Sequence, residues 1–306
     1  MITKKPLVAI IVLSLLILLF FYGILKKKPQ ETAMEHFRSN KINSKIYDNF
    51  YAGIYDQLFY SRLKTEYEMV QLQELSLKNW RHSTVKVLDA GCGTGQHITI
   101  LNRYKHAAVG IDKSKAMLKR AQKKNPKNRF ELGDFSNKKN FKKHEFTHIM
   151  CLFFTIYYQK DLNTVFKTFN YWLQPKGVLV LHLVNRQKFD PVLERSSSLI
   201  PFFNPQKNTK TRKLDTTLTF NKFKYSSTWV FDDEQKKNVK FVEKFVDKKS
   251  DDNIIRQHIH QFNLITMKKI TKIAKKQGFH LFKIVDLLVA NHDFNYLYFF
   301  EKKYGQ

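Results

Sequence analysis

Two cysteines in 306 residues are too few for a disulfide framework, which places the chain in a reducing compartment. Ten glycines and seven prolines exclude collagen-like, proline-rich and turn-repeat architectures. Acid is scarce as well: 26 Asp+Glu stand against 54 Lys+Arg, a formal net charge of +28. Arginine supplies only ten of those 54 cations. A surface that grips phosphate uses Arg forks as well as Lys point charges, so this Lys excess reads as a solvated cationic face, and a nucleic-acid partner is not expected. What the chain has in quantity is apolar. At 43% hydrophobic and 14% aromatic it is no disordered polyelectrolyte, and its length fills the core of one large domain with an appendage.

The appendage is at the amino end. Leu7–Leu25 carries no charge, and at ~1.5 Å per residue it matches the thickness of a bilayer's hydrocarbon core. A cleaved secretory signal has a shorter apolar stretch and a small-residue cleavage site, whereas this run ends in aromatics and Lys26-Lys27-Lys28. Residues 1–29 are therefore expected to be an uncleaved single-pass membrane anchor. The larger cationic cluster, Lys26, Lys27, Lys28, Arg38, Lys41 and Lys45, follows the span and predicts a cytosolic body. Residues 30–45 read as a polar tether and 46–306 as the folded domain.

In that domain a long helical pattern over Lys45–Trp80 gives way to alternating periods. Strands are expected at Val85–Leu88, Ala107–Ile111, Arg129–Leu132, Phe146–Phe153 and Val178–Val184, with helices at Gln96–Tyr104, Ser114–Lys124 and Leu162–Leu173 between them. Such alternation predicts an α/β fold, a mostly parallel sheet with helices on both faces. Residues 186–265 break the rhythm with four candidate strands and polar turns, an antiparallel insert before a last helix at Thr266–Gln277. A hairpin-like pair, His280–Leu287 with Asn295–Glu301, ends the chain.

The first strand runs into Asp89-Ala90-Gly91-Cys92-Gly93-Thr94-Gly95. A dinucleotide loop spaced G-x-G-x-x-G would need its third glycine at position 96, which is Gln, and no Lys-Ser/Thr pair marks a triphosphate loop. D-x-G-x-G-x-G after the first strand resembles the cofactor loop of the Rossmann-like (class I) S-adenosylmethionine-dependent methyltransferases, closely over residues 85–184 and more loosely beyond. The resemblance implies a seven-stranded sheet and S-adenosylmethionine as cofactor. It gives Gly91, Gly93 and Gly95 to the methionine part and Asp89 to its amino group. Asp112, ending the second strand, goes to the ribose hydroxyls, and Asp134 with Phe135, beyond the third, to the adenine. Read locally, Asp112 also suits a helix cap and Asp134 a β-turn.

The Tyr47-Asp48…Tyr55-Asp56 segment is similar to an element in small-molecule methyltransferases in which a tyrosine closes over the methionine end, and Tyr55 takes that place. A ring face beside a sulfonium is favourable, although these tyrosines equally suit the inner face of an amphipathic helix. After the fourth strand, Cys151–Tyr158 lacks the Asn/Asp-Pro-Pro-aromatic signature of base-amine methylation, the acid of catechol and ribose enzymes, and a Pro-Cys nucleophile. In the insert, Arg256…His260 resembles an Arg-x-x-x-His element that lies over the acceptor site, which makes His260 the candidate base. His258 reads as solvent-facing, and no metal is expected. These features predict a membrane-anchored methyltransferase with a small or lipid-soluble acceptor. An RNA or protein methyltransferase and a non-catalytic scaffold are the alternatives.

Overall fold

Apolar residues at period two build the first central strand: Leu88 and Ala90 pack on one side of the sheet, Val87 on the other. The computed structural model describes residues 39–189, 213–220, 223–231, 238–248 and 254–303, all within the unit 34–306. The expected anchor, residues 7–25, lies outside the described residues. Among the described residues no helix is long and apolar enough to cross a membrane.

In chain order the elements are β1 (Ser39–Ile42), α1 (Asn49–Phe59), α2 (Arg62–Leu75), β2 (Lys86–Ala90), α3 (Gln96–Arg103), β3 (Ala107–Asp112), α4 (Lys115–Lys124), β4 (Arg129–Leu132), β5 (Phe146–Cys151), α5 (Leu162–Trp172) and β6 (Leu173–Val184). Then come β7 (Lys213–Thr219), β8 (Phe223–Phe231), β9 (Asn238–Asp247), β10 (Ile254–Asn263), α6 (Met267–Lys276), β11 (Phe279–Asp286) and β12 (Asn295–Lys302). Seven strands form one sheet in the order β11-β12-β6-β5-β2-β3-β4. All pairs from β6 to β4 are parallel, and β12 runs antiparallel to both its neighbours. Buried residues of α5 and α6 pack on one face, and those of α2 and α3 on the other.

Two expectations change. The helical pattern over residues 45–80 is not one helix: the chain is extended at Tyr60 and Ser61, and the Ser61 hydroxyl caps α2 by accepting the Lys64 N–H. The tether ends earlier than residue 45. Ser39–Ile42 pairs in parallel with β10, completing a second sheet in the order β1-β10-β9-β8-β7. The insert is otherwise antiparallel as expected. Its aromatic strand β8 buries Phe223, Tyr225 and Trp229 on one face, and Trp229 stacks on Phe262 at 5.6 Å. α1 packs against the insert through Tyr51, which with Ile46 just before the helix joins Phe223, Tyr225 and Phe245 in one cluster.

Candidate active site

Parallel strands deliver their carboxyl ends to one edge, and there the turns after β2, β3, β4 and β5 converge. A cavity of about 240 Å³ opens at this edge, lined among others by Tyr47, Tyr55, Gly91, Gly93, Asp112, Phe135, Thr155 and Tyr158. Five of the eight residues assigned to the cofactor from sequence therefore share one cavity. Asp89, Gly95 and Asp134 stand outside its lining.

The loop has the conformation that its glycines allow. Gly91 and Gly95 are left-handed, at φ +79° and +75°. A Cβ on Gly91 would lie 2.3 Å from Thr155 Cγ2, while one on Gly93 would meet nothing nearer than Tyr55 Cε1 at 4.0 Å. Gly91 thus lets β2 pass under the turn after β5, and Gly93 leaves backbone open to the cavity. Asp112 braces the loop from the next strand: the Gly93 N–H donates to its Oδ2 at 3.0 Å and the Ser114 N–H to its Oδ1 at 2.8 Å. Ser114, not Asp112, caps α4 by accepting the Met117 N–H. Asp112 keeps lone pairs free on both oxygens, and burial raises its carboxyl above the ordinary value against those two bonds.

Asp89 is only 2% exposed, and its Oδ2 has no hydrogen-bond partner. Burial pushes its carboxyl up to about 6; His97, whose Nδ1 lies 3.7 Å from Oδ2, opposes the rise and Asp112 adds to it. The other His97 nitrogen, Nε2, contacts Glu68 at 3.1 Å, and Glu68 pairs with Lys64 at 2.7 Å. A buried carboxylate with an unused oxygen suits a cationic ligand such as an ammonium. Asp134 differs: Lys113 Nζ lies 2.8 Å from its Oδ2 and the Ser136 N–H donates to Oδ1, so it holds the turn while neighbouring Phe135 lines the cavity.

His260 does not line the cavity either. It is 3% exposed, and its Nδ1 contacts the hydroxyl of Tyr158, a residue that lines the cavity. Its Nε2 lies 2.8 Å from Glu243 Oε2, and Tyr47 and Tyr158 hydroxyls are 2.9 Å apart. His258, read from sequence as solvent-facing, is fully buried because it lies opposite Glu243 in the β10–β9 register. Its Nδ1 is 3.1 Å from the same Oε2 and its Nε2 accepts from Arg256 at 2.7 Å. Burial alone would raise the Glu243 carboxyl, yet the His258 and His260 bonds hold it down at about 2. Sequence reasoning missed Glu243 and Tyr158. Cys151 is the buried strand residue expected, its thiol pushed up by burial.

Residues 87–177 match the family model of the methyltransferase domain. No curated protein matches the sequence. Among solved structures, the fold is similar to an S-adenosylmethionine-dependent methyltransferase from Clostridium acetobutylicum at 19% identity and a TM-score of 0.60, covering 83% of this chain and 98% of that one. The CcbJ methyltransferase of Streptomyces caelestis aligns at 14% identity and 0.63, over 84% and 98%. CalS10 of Micromonospora echinaspora, an amino pentose methyltransferase solved with S-adenosylmethionine bound, aligns at 17% and 0.56, over 80% and 93%. The domain match takes in the whole glycine loop and the turns that build the cavity, so residues 87–177 are similar to a methyltransferase domain, on a fold shared with these enzymes.

Proposed function

We propose that the chain methylates a small or lipid-soluble acceptor held between the glycine loop and the tyrosines Tyr47, Tyr55 and Tyr158, with residues 7–25 as its membrane anchor and the domain on the cytosolic side. The single observation that carries the acceptor site is the shared cavity, lined by Gly91 and Gly93 of the loop together with Tyr47, Tyr55 and Tyr158. Bound S-adenosylmethionine supplies an electrophilic methyl group on a sulfonium. Asp89 would take its ammonium through the unused Oδ2, Asp112 its ribose hydroxyls through the remaining lone pairs, and Phe135 its adenine face. Gly91 and Gly93 shape the wall, Gly95 starts α3 in the left-handed conformation beside it, and Asp134 acts through the turn it shares with Phe135. The Tyr55 and Tyr47 rings, 6.3 Å apart, give the cation an aromatic surface and exclude water.

The test uses the full chain in detergent. Excess S-adenosylhomocysteine should raise the melting temperature and NAD should not, because only a ligand of the native state stabilises it. The reverse outcome overturns the cofactor site. Methyl-label transfer into fractionated extract, with an amino sugar and simple phenols beside it, then identifies the acceptor class. Label confined to RNA or protein would overturn the small-molecule reading.

A further inference from the structure

We propose that Glu243, His260 and Tyr158 form a buried proton relay that reaches the cavity at Tyr158, so that the acceptor is a molecule whose nucleophile sheds a proton on methylation, a hydroxyl or a neutral amine. The proposal rests on the reading that methyl transfer takes place in the cavity beside the glycine loop.

Donor and acceptor chemistry fixes each proton in the array. Arg256 only donates, so His258 Nε2 is an acceptor and the His258 proton sits on Nδ1, facing Glu243. Ionised Glu243 only accepts: its Oε1 takes the Tyr225 hydroxyl at 2.7 Å, and its Oε2 takes the His258 Nδ1–H and the His260 Nε2–H. With its proton on Nε2, His260 turns a bare Nδ1 to Tyr158, whose hydroxyl donates to it. Because the Tyr158 hydrogen goes to His260, the Tyr47 hydroxyl donates to the Tyr158 oxygen, which keeps one lone pair for a proton arriving from the cavity. Glu243, His258 and His260 also hold three ligand atoms within 4.8 Å of one another, the spacing of a metal site. A cation on His258 Nδ1 would move the ring proton to Nε2, against the Arg256 donor, so the array is built for protons.

The groups facing His260 are Glu243 and Phe241 from β9, Tyr51 from α1, Tyr47 before it, Tyr158 from the turn after β5, and Phe262 on its own strand. Beyond His258, the next charges are Arg256 and Lys41, both held on Asp48. Among the described residues Glu243 is therefore the one carboxylate in contact with the ring. As the acceptor heteroatom bonds to the methyl carbon, its proton passes to the Tyr158 oxygen and the Tyr158 proton passes to His260 Nδ1. The electron pair of the cleaved carbon–sulfur bond stays on sulfur. The imidazolium faces the Glu243 carboxylate until product leaves, and its proton then returns through Tyr158 to water entering the cavity. Tyr158 meets the acceptor; His260 and Glu243 act through it and are positioning residues.

Nitrogen NMR of the full chain in detergent, labelled with ¹⁵N-histidine, tests the proton placement. His260, assigned by its loss in His260→Gln, should be the Nε2–H tautomer near pH 8, with an Nδ1 shift that moves in Tyr158→Phe. The Nε2–H preference should weaken in Glu243→Gln, which removes the carboxylate that fixes that proton. A proton on Nδ1, or a ring indifferent to Tyr158→Phe, overturns the relay. So does stoichiometric zinc whose removal shifts both histidine rings, in favour of a metal centre. Tyr158→Phe keeps the ring packing and serves if Glu243→Gln does not fold. Labelled methyl transfer to extract should slow by about 10²–10⁴-fold in Tyr158→Phe. Calorimetry of the wild-type chain with S-adenosylhomocysteine separates the two ideas: no binding removes the cofactor site while the NMR still judges the relay, and binding without the tautomer signature removes the relay alone.

Discussion

Asp89 shows how one side chain ties stability to ligand binding. Its carboxyl titrates at about 6 in the folded protein against 3.8 ordinarily, because burial penalises the charge and Oδ2 has no partner. The folded state then holds a proton that the unfolded state has lost, so this group lowers stability as pH rises from about 4 to about 6. An ammonium bound at Oδ2 needs the ionised form. Affinity for S-adenosylhomocysteine should therefore rise about tenfold per pH unit below about pH 6 and level off above it. Asp89→Asn should abolish that dependence, weaken binding at least about tenfold at pH 7.5, and leave the apo chain more stable there. Isothermal titration from pH 5 to 8 beside urea melts checks all three. Gly91 and Gly93 separate conformation from contact in the same loop. Gly91→Ala places a methyl on Thr155 as well as straining φ, whereas Gly93→Ala adds only the strain of a left-handed residue, about 1–2 kcal/mol. Thermal melts should rank Gly91→Ala the less stable, and Gly93→Ala should show the greater loss of ligand affinity relative to its stability, since its methyl faces the cavity.

At the scale of elements, the parallel core was legible in the sequence because buried parallel strands are largely apolar, as in β2, β3, β5 and β6, while β4 at the sheet edge is half-exposed and alternates polar and apolar residues. The break at Ser61 was not, because apolar periodicity runs on across an extended residue that only a cap reveals. Strand β1 was hidden for another reason. Ser-Asn-Lys-Ile has no apolar pattern, and it is a strand only because β10 offers it an edge. Glu243 left a trace that went unread: in β9 the inward row is Val239, Phe241, Glu243 and Phe245, one acid among three apolar residues. A charge in such a row signals a buried partner, here the two histidines of β10. Tyr158 gave no comparable signal, since an apolar turn rich in aromatics reads as core. The joint between these elements is Asp48, which caps α1 through the Tyr51 N–H and binds Lys41 of β1 and Arg256 of β10. Burial raises its carboxyl, and the Lys41, Tyr51 and Arg256 contacts outweigh that and lower it. A lowered acid contributes stability above its unfolded value and loses it as pH falls through the folded one. Asp48→Ala should cost about 1–2 kcal/mol at pH 7 from the cap. The gap to wild type should close in urea melts taken below the carboxylate range, and a gap independent of pH would remove Asp48 from this role.

At the scale of the whole molecule, two features compete to explain any attachment to membranes: the charge-free run of residues 7–25 and a net charge of +28. They differ in what releases the protein. Attraction between Lys side chains and anionic headgroups falls off within a Debye length, about 3 Å in molar salt, so a purely electrostatic association dissolves in high salt or alkaline carbonate. A charge-free run of 19 residues, nearly all apolar, resists both, because release would return its side chains to water at roughly 25 cal/mol per Å² of apolar surface. The full chain should therefore stay in the membrane pellet through 1 M salt and carbonate, an expectation at the order of these two magnitudes. A chain starting at Met34 keeps β1 and the unit 34–306 whole, and it should appear in the supernatant at high salt. If both chains partition alike, charge is the whole attachment and residues 7–25 have another role. Starting instead at Ile46 would confuse this result, because removing β1 uncovers the β10 edge and takes Lys41 from Asp48, so pelleting by aggregation would pass for membrane binding.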